Sequence, residues 1–399
     1  MEETMIKKIT DGIHWTGKTD WEIRTFHGEE YSTHRGSSYN SYIVEDEKTV
    51  LIDTVWKPFG KEFVHQLRKG GYLEKIDFVI ANHAEIDHSG ALPELMREIP
   101  DVPVYCTKNG VKSLTGHYHQ DWNFIPVKTG DRLNLGKNEI IFIEAPMLHW
   151  PDSMFSYLSG SNILFSNDAF GQHYATEHLF NDLVDQAELF QEAVKYYANI
   201  LTPFSPLVLK KIDELIGLGV PVDMICPSHG VIWRKNPMQI VEQYQKWADN
   251  YAENQITLLY DTMWNGTSRL AEAIAEGIRQ RRQDITVKLF NLSHSDKNDV
   301  ITEVFRSKGI LVGSPTINRG ILTAVAGMME EIRGLQFKNK SAAAFGTYGW
   351  SGESVHRIED LLKNAGFTVV QEGMKATWNP DENALSQGRD FGRRFAEAL

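Results

Sequence analysis

Two histidines, a glutamate and an aspartate lie within six residues of one another in the stretch NHAEIDHSG, residues 82–90. The stretch follows an apolar run, IDFVIA, which is typical of a buried strand. In an extended loop alternate residues point the same way, so His83, Glu85 and Asp87 would share one side and His88 would turn in at the bend. Carboxylates that repel one another at a strand end are stabilised by a cation. A solvated acidic loop is the simpler interpretation, but four such groups together predict a metal site.

Three more metal-binding side chains follow other apolar runs of the first 250 residues. His149 lies in EAPMLHWPDSM, Asp168 in ILFSNDAFG and His229 in ICPSHG. Each alone is expected to be an ordinary, satisfied polar residue. Together with the first loop they supply four histidines and three carboxylates, which fits a site for two metal ions roughly 3.5–4 Å apart with a carboxylate between them.

A different kind of site is predicted after residue 256. In ITLLYDTMWNGTSRLAEAI a strand ends at Tyr260, a polar loop follows, and a helix begins near Thr267. Thr262 and Asn265 offer side-chain donors, Gly266 permits close approach of the backbone, and the N–H groups of a helix N-terminus favour a phosphate. The loop lacks the G-x-x-x-x-G-K-[ST] pattern of a nucleoside triphosphate site. On its own it is equally a well-capped helix start.

Two later loops strengthen the phosphate-site interpretation. VGSPTINRG follows the strand GILV, and AFGTYGWSGES follows SAAAF, so both lie at strand ends, where ligands bind in doubly wound sheets. Small residues let backbone amides reach a flat ring, and the aromatic residues can stack on it. Trp350 could instead be a core aromatic. The predicted cofactor contacts are Thr262, Met263, Trp264, Asn265, Gly266, Thr267, Ser314, Pro315, Thr316, Asn318, Gly346, Thr347, Tyr348, Gly349, Trp350 and Gly352.

The elements that position these residues fall into two regimes. Short apolar strands mixed with helices fill the first part of the chain, and a regular alternation of strands and helices begins near residue 256, which predicts a parallel, doubly wound sheet. The polar segment WADNYAENQ separates the two regimes. We therefore expect an α/β protein with one domain at residues 1–251 and a second at 255–399.

Composition limits the classes of partner and compartment. The 399 residues carry a formal net charge of −12, which argues against nucleic acid or an anionic membrane as partner. The N-terminus has no apolar segment of a secretory signal, and no apolar run approaches the length of about 20 residues that crosses a bilayer. The two cysteines, Cys106 and Cys226, each end an apolar run and are expected to be buried thiols. A cytoplasmic protein is expected.

The order H-x-E-x-D-H, then His, Asp and His, resembles the metallo-β-lactamase superfamily. The hydrolytic members usually carry a histidine where Glu85 stands. The glutamate form, with MLHWPDSM and SNDAFGQH, is similar to the flavodiiron proteins, or A-type flavoproteins, over essentially the whole chain. The resemblance implies a metallo-β-lactamase-like αβ/βα sandwich followed by a flavodoxin-like domain that binds FMN. Mixed carboxylate and imidazole ligands also suit iron better than zinc.

The resemblance further implies roles for single residues. One iron would be bound by His83, Glu85 and His149, and Asp168 would bridge. The other would be bound by Asp87, His88 and His229. His173 and Tyr197 would be neighbours of the substrate pocket, although each could be an ordinary structural residue.

The activity implied is the reduction of dioxygen to water, of nitric oxide to nitrous oxide, or of both, at the diiron site fed by FMN. A head-to-tail homodimer, alone or paired into a tetramer, would bring the FMN of one subunit to the diiron site of the other. The sequence contains no Cys-x-x-Cys pair, so we expect a separate rubredoxin-like electron donor.

Two other functions remain open at this point. One is a zinc-dependent hydrolase of the metallo-β-lactamase superfamily, against which Glu85 and the second domain argue. The other is an electron carrier in which only FMN works and the first domain is a metal-stabilised scaffold. Metal analysis and gas consumption separate these from the oxidoreductase.

Overall fold

The computed structural model describes residues 6–399, which form two compact units. The first unit extends to Tyr196 and includes Phe204–Gln245, and the second contains Tyr197–Pro203 and Lys246–Leu399. The short insert joins the second unit because the Asn199 side chain donates hydrogen bonds to the Asn298 carbonyl and to Thr302 Oγ1, both at 3.2 Å. The second unit thus starts slightly before the predicted segment 247–255, and it includes an insert that the sequence pattern did not indicate.

The first unit is built mainly of short strands. Its strands are β1 (Lys7–Thr10), β2 (Ile13–Trp15), β3 (Lys18–Asp20), β4 (Thr25–Phe26), β5 (Tyr31–Ser32), β6 (Ser37–Tyr39), β7 (Tyr42–Glu45), β8 (Thr49–Ile52), β9 (Ile76–Ile80), β10 (Val104–Thr107), β11 (Phe124–Val127), β12 (Arg132–Asn134), β13 (Glu139–Glu144), β14 (Met154–Leu158), β15 (Ile163–Asn167) and β16 (Met224–Pro227). Its helices are α1 (Gly60–Lys69), α2 (Ile86–Ser89), α3 (Leu92–Glu98), α4 (Lys108–Tyr118), α5 (Gln186–Tyr196), α6 (Ser205–Gly217) and α7 (Met238–Ala248), the last of which runs into the second unit.

Two sheets of the first unit share one core. The order of the larger sheet is β1-β2-β7-β8-β9-β10-β11, and that of the smaller is β12-β13-β14-β15-β16. Apolar residues of both, among them Val50, Ile80, Phe142 and Phe165, form a single buried cluster. The sheets therefore pack face to face, as in the sandwich that the sequence predicted.

The candidate metal ligands follow strands of both sheets. His83 comes shortly after β9 in the larger sheet, and His149, Asp168 and His229 come after β13, β15 and β16 in the smaller one. Strands β15 and β16 are parallel neighbours, so Asp168 and His229 lie close together at the carboxyl ends of these strands. The convergence of these loops is thus set by the strand order.

The second unit is a parallel sheet with helices. Its strands are β17 (Glu253–Tyr260), β18 (Thr286–Asn291), β19 (Ser307–Gly313), β20 (Ser341–Tyr348), β21 (Thr368–Val369) and β22 (Met374–Thr377). Its helices are α8 (Gly266–Arg281), α9 (Lys297–Arg306), α10 (Thr323–Leu335), α11 (Glu353–Asn364) and α12 (Glu382–Glu397).

All strand pairs of this sheet are parallel, in the order β18-β17-β19-β20 with β21 and β22 both paired to β20. Counted from the first strand of the unit this is the order 2-1-3-4-5, which is that of flavodoxin-like sheets. The predicted doubly wound arrangement agrees with this topology. Among residues 6–399, none of the helices has the length and apolar character needed to span a bilayer.

Candidate metal centre and cofactor cavity

Seven side chains of the first unit converge in two groups that could each hold a metal ion. The first group contains His83, Glu85, His149 and Asp168. Glu85 Oε2 lies 3.3 Å from His83 Nε2 and 3.4 Å from His149 Nε2. Asp168 Oδ2 lies 3.6 and 3.4 Å from the same two nitrogens. Two imidazoles and two carboxylate oxygens thus face a common point.

The second group contains Asp87, His88 and His229. Asp87 Oδ2 lies 3.1 Å from His88 Nε2 and 3.0 Å from His229 Nε2. Asp168 Oδ1 lies 3.1 and 3.5 Å from these nitrogens. Asp168 therefore presents one oxygen to each group, which is the arrangement of a bridging carboxylate.

The loop after β9 differs from the extended form assumed from the sequence. Glu85 has extended backbone, but residues 86–89 form the single helical turn α2, with hydrogen bonds from the N–H groups of His88 and Ser89 to the Glu85 carbonyl. The turn carries Asp87 and His88 into the second group, whereas His83 and Glu85 point into the first. One loop thereby supplies ligands to both positions, which strict alternation would not produce.

Charges in the cluster favour ionised carboxylates. Burial alone would raise the pKa of Asp168, but the neighbouring imidazoles, His88 foremost, hold that pKa well below its ordinary value. Burial would also raise the pKa of Glu85 and of Asp87, but their histidine neighbours outweigh burial and lower both pKa values. For His83, burial lowers the pKa, but the surrounding carboxylates raise it to about 10. Metal binding here would displace protons from the imidazoles, as expected for histidine ligands.

Some carboxylate oxygens of the cluster are buried and lack hydrogen bonds, and this shows whether the site suits a cation. Both Oδ atoms of Asp168 and Oδ1 of Asp87 are buried and accept no well-oriented hydrogen bond from the described residues. Imidazole nitrogens lie 3.1–3.6 Å from the two Asp168 oxygens without forming a well-oriented hydrogen bond, whereas Asp87 faces its histidines with its other oxygen, Oδ2. Buried polar atoms are normally satisfied, so the two unpaired Asp168 oxygens, each facing one group of donors, fit a cation at each position. The donor set therefore fits two metal ions.

A cavity of about 460 Å³ opens onto the cluster. Glu85 and Asp87 lie in its wall together with Phe26, His27 and Trp150. His27 Nε2 lies 3.0 Å from Glu85 Oε1, the oxygen that is turned away from the first group. His27 is a site residue that the sequence did not predict, because strand β4 before it has only two residues and forms no recognisable apolar run.

The two predicted pocket neighbours have different surroundings. The His173 ring is buried, 4.8 Å from the ring of His229, and its Nδ1 lies 2.8 Å from Ser37 Oγ. Burial, reinforced by nearby histidine charges, lowers its pKa, so the ring is neutral. The Tyr197 ring packs on those of Trp247 and Phe305, whereas the rings of Tyr31 and Tyr196 lie 5.0 and 5.2 Å from that of His173.

The second unit contains a separate cavity of about 450 Å³ at the carboxyl ends of its strands. It is lined by residues of three loops that the sequence singled out and by a fourth segment that it did not. The predicted residues in its wall are Thr262, Met263, Trp264, Gly266, Pro315, Thr316, Thr347, Tyr348, Gly349 and Trp350. The unpredicted ones are Trp378 and Asn379, which follow β22.

The other predicted contacts support this wall rather than line it. Asn265 precedes α8 with φ +62, Ser314 Oγ accepts the Leu322 N–H, and Thr267 Oγ1 lies 2.8 Å from Thr347 Oγ1. A Cβ on Gly346 would lie 2.3 Å from the Ser314 carbonyl oxygen. Asn318 is exposed in its loop, and Gly352 precedes α11.

Three tryptophans rim the cavity with unusual exposure. Trp264, Trp350 and Trp378 are 89%, 88% and 67% exposed, more than the other large apolar residues of the described chain. Trp378 also has φ +52, a strained backbone for a bulky side chain, and such strain is often found at ligand-binding positions. Flat rings left open to solvent around a cavity suit stacking on a flat cofactor.

Each of the two units matches a known protein family. Residues 37–230 match the ODP family of beta lactamases, and residues 258–392 match flavodoxin. An anaerobic nitric oxide reductase flavorubredoxin of Escherichia coli is 56% identical over 390 residues, which is 97% of this chain and 81% of the relative. The chain belongs to the flavodiiron protein family.

Solved structures of relatives extend over the whole of this flavodiiron protein. The rubredoxin oxygen:oxidoreductase of Desulfovibrio gigas is 37% identical with a TM-score of 0.96, covering 99% of this chain and 98% of that one. The flavodiiron protein of Giardia intestinalis is 33% identical with a TM-score of 0.95, covering 100% and 97%. The predicted fold class, a lactamase-like domain followed by a flavodoxin-like sheet, is confirmed. The protein is an oxidoreductase, and its family implies FMN and two iron ions as cofactors.

Proposed function

We propose that this flavodiiron protein reduces dioxygen to water, nitric oxide to nitrous oxide, or both, with electrons that enter through FMN. The arrangement of Asp168 carries the proposal, since its two oxygens serve two donor groups at once. The relatives are named for both substrates, a nitric oxide reductase in Escherichia coli and an oxygen oxidoreductase in Desulfovibrio gigas.

In this proposal each iron would be bound by two histidines and one carboxylate of its own. His83, Glu85 and His149 would hold one ion. Asp87, His88 and His229 would hold the other. When bound, the two irons supply redox-active, Lewis-acidic positions for a diatomic substrate. Mixed imidazole and carboxylate ligands also separate this site from the histidine-rich zinc sites of hydrolases.

The chain's own groups shape the space beside these ligands. His173 would remain a neutral ring that packs behind His229 and keeps it in orientation, held by its contact with Ser37. The rings of Tyr31 and Tyr196 pack beside His173, and a role for Tyr197 as a neighbour of the pocket stays a prediction. The cavity that opens on Glu85 would give a small gas access to the metal positions, and Phe26 and Trp150 contribute apolar surface to its wall.

The FMN phosphate would bind at the start of α8, where backbone N–H groups are free of intrahelical partners. The ring would lie against the aromatic rim of the cavity. A head-to-tail dimer, alone or paired into a tetramer, would cover that rim, because large exposed apolar patches mark interfaces. An external rubredoxin-type donor would supply the electrons. The buried free thiols Cys106 and Cys226 suit a reducing cytoplasm.

If the FMN phosphate binds at the start of α8, a negative charge at the exposed residue Asn265 should lower the affinity for FMN. Asn265→Asp should weaken FMN binding about 10-fold, since a carboxylate beside a phosphate repels it by about 1–2 kcal/mol. Helix α8 should not suffer, because Asn265 makes no side-chain cap hydrogen bond, and aspartate tolerates its φ of +62 and suits the helix dipole. The measurement is flavin fluorescence titration of the apoprotein. Asn265→Gly is the uncharged control, because glycine adopts a φ of +62 without strain, and equal affinity in the two variants would place the phosphate elsewhere.

Anaerobic photoreduction of the holoprotein tests the function itself. Reduced protein mixed separately with dioxygen and with nitric oxide should show rapid flavin reoxidation and release water without peroxide, or nitrous oxide. Two zinc ions, hydrolytic turnover and no flavin would favour the hydrolase. Bound iron without consumption of either gas would favour the electron carrier.

A further inference from the structure

The two metal positions have equal numbers of ligands but different supports behind them. Each position receives two imidazoles, one carboxylate of its own and one oxygen of Asp168. The ligands therefore bring the same charge to both positions. We look for a difference in metal affinity in the residues that hydrogen-bond to the ligands on the side away from the metal.

Asp152 is the group behind His83. Its Oδ2 lies 2.8 Å from His83 Nδ1 and accepts the Ala84 N–H at 2.8 Å, and its Oδ1 accepts a hydrogen bond from Ser113 Oγ at 3.3 Å. Its side chain is fully buried. Because Nδ1 donates its proton to this carboxylate, Nε2 is left as the donor atom that faces Glu85 and Asp168.

The corresponding histidine of the other position has a neutral support. His229 Nδ1 lies 2.6 Å from the main-chain carbonyl oxygen of Ser38. A carboxylate polarises an imidazole more strongly than a carbonyl does, because the hydrogen bond to it is charge-assisted. Such partners fix the ring and raise the basicity of the ligand nitrogen. His83 is thus the stronger donor of the two.

We propose that Asp152 is a positioning residue that makes the position of His83, Glu85 and His149 the tighter of the two iron positions. The proposal rests on the diiron function but concerns affinity rather than turnover. In the loaded protein the Asp152–His83 hydrogen bond holds the first ion more firmly. The ion beside His229 is the one lost first to a competing chelator.

The test is metal binding by the metal-free, FMN-loaded chain under anaerobic conditions. Ferrous iron alone is the probe, and wild type should show two unequal dissociation constants. Asp152→Asn keeps the size of the side chain but removes its charge, so the tighter constant should weaken 10–100-fold, roughly the usual cost of losing such a support. The weaker constant should stay within about 2-fold. Anomalous diffraction at the iron edge should show the loss at the His83 position.

Asp53→Asn is the matched control. Asp53 is another buried carboxylate behind the same loop, and its charge also acts on His88 and His83, but its hydrogen bonds come from the main-chain and side-chain nitrogens of Asn82 and not from a ligand imidazole. It should leave the order of the two iron constants unchanged. If Asp53→Asn produced the same selective loss, the hydrogen bond to His83 would not be the cause.

Further variants keep the proposal testable if Asp152→Asn folds poorly. Ser113→Ala removes only the third contact of Asp152 and should weaken the same position to a smaller extent. Asp152→Glu, which restores the carboxylate, should recover part of the affinity. Equal weakening of both positions, or weakening of the His229 position alone, would overturn the proposal. Failure of wild type to bind two ferrous ions would instead contradict the proposed function.

Discussion

Replacing Asp168 with alanine is expected to empty both iron positions while leaving the yellow flavin spectrum intact. Asp168 is the residue that presents an oxygen to each donor group, with Oδ2 3.4 Å from His149 Nε2 and Oδ1 3.1 Å from His88 Nε2. Its removal takes charge from both positions at once. Substitution of a supporting residue typically costs 10–100-fold, so loss of a shared ligand should lower gas-dependent flavin reoxidation by more than about 100-fold.

Elemental analysis and the flavin absorbance of the purified variant measure the two effects separately. Asp182→Ala is a suitable control, because Asp182 forms an ion pair with Arg234 away from the cluster. It should keep both iron ions and full reoxidation. An Asp168→Ala protein that retains two ions would show that the carboxylate does not bridge, even though it lies between the groups.

The fold could be predicted largely because its signals are local. Strand-like apolar runs such as IDFVI, EIIFIE and ILFSN became β9, β13 and β15, and the alternation of strands and helices after residue 256 became the parallel sheet. The carboxyl ends of parallel strands lie on the same side of the sheet, so polar residues that follow them can be predicted to lie close together even when contacts between distant residues are not known. The seven candidate ligands followed from that rule and from the resemblance together.

The residues that were missed are defined by contacts between distant parts of the chain. His27 reaches Glu85 from the turn between β4 and β5, and Asp152 reaches His83 across 69 positions of sequence. Trp378 lines the cavity of the second unit directly after β22, and that short strand gave no clear pattern in the sequence. Spacing in the sequence carries none of this information.

The stability of the metal-free protein is expected to depend on pH through Asp53 in a direction opposite to that of the ligand carboxylates. Burial raises the pKa of Asp53 to about 6, although His88 and the hydrogen bonds from Asn82 partly offset this effect. The folded protein therefore binds more protons at this residue than the unfolded chain does between pH 4 and 6. In that window the contribution of Asp53 to the free energy of unfolding falls as pH rises.

The Asp53→Asn variant isolates this contribution. Each pKa unit is worth 1.36 kcal/mol, so the variant should gain about 3 kcal/mol relative to wild type as pH rises from 4 to above 6. Any constant cost of the altered contact with Asn82 appears equally at every pH and cancels from the comparison. The ligand carboxylates, whose pKa values are lowered in the folded state, give a rising stability that both proteins share. Urea unfolding of the metal-free chains across this range, followed by tryptophan fluorescence, measures the difference. A gap between the two proteins that stays constant with pH would mean that Asp53 ionises at its ordinary pKa, and that its burial behind the metal loop carries no charge penalty.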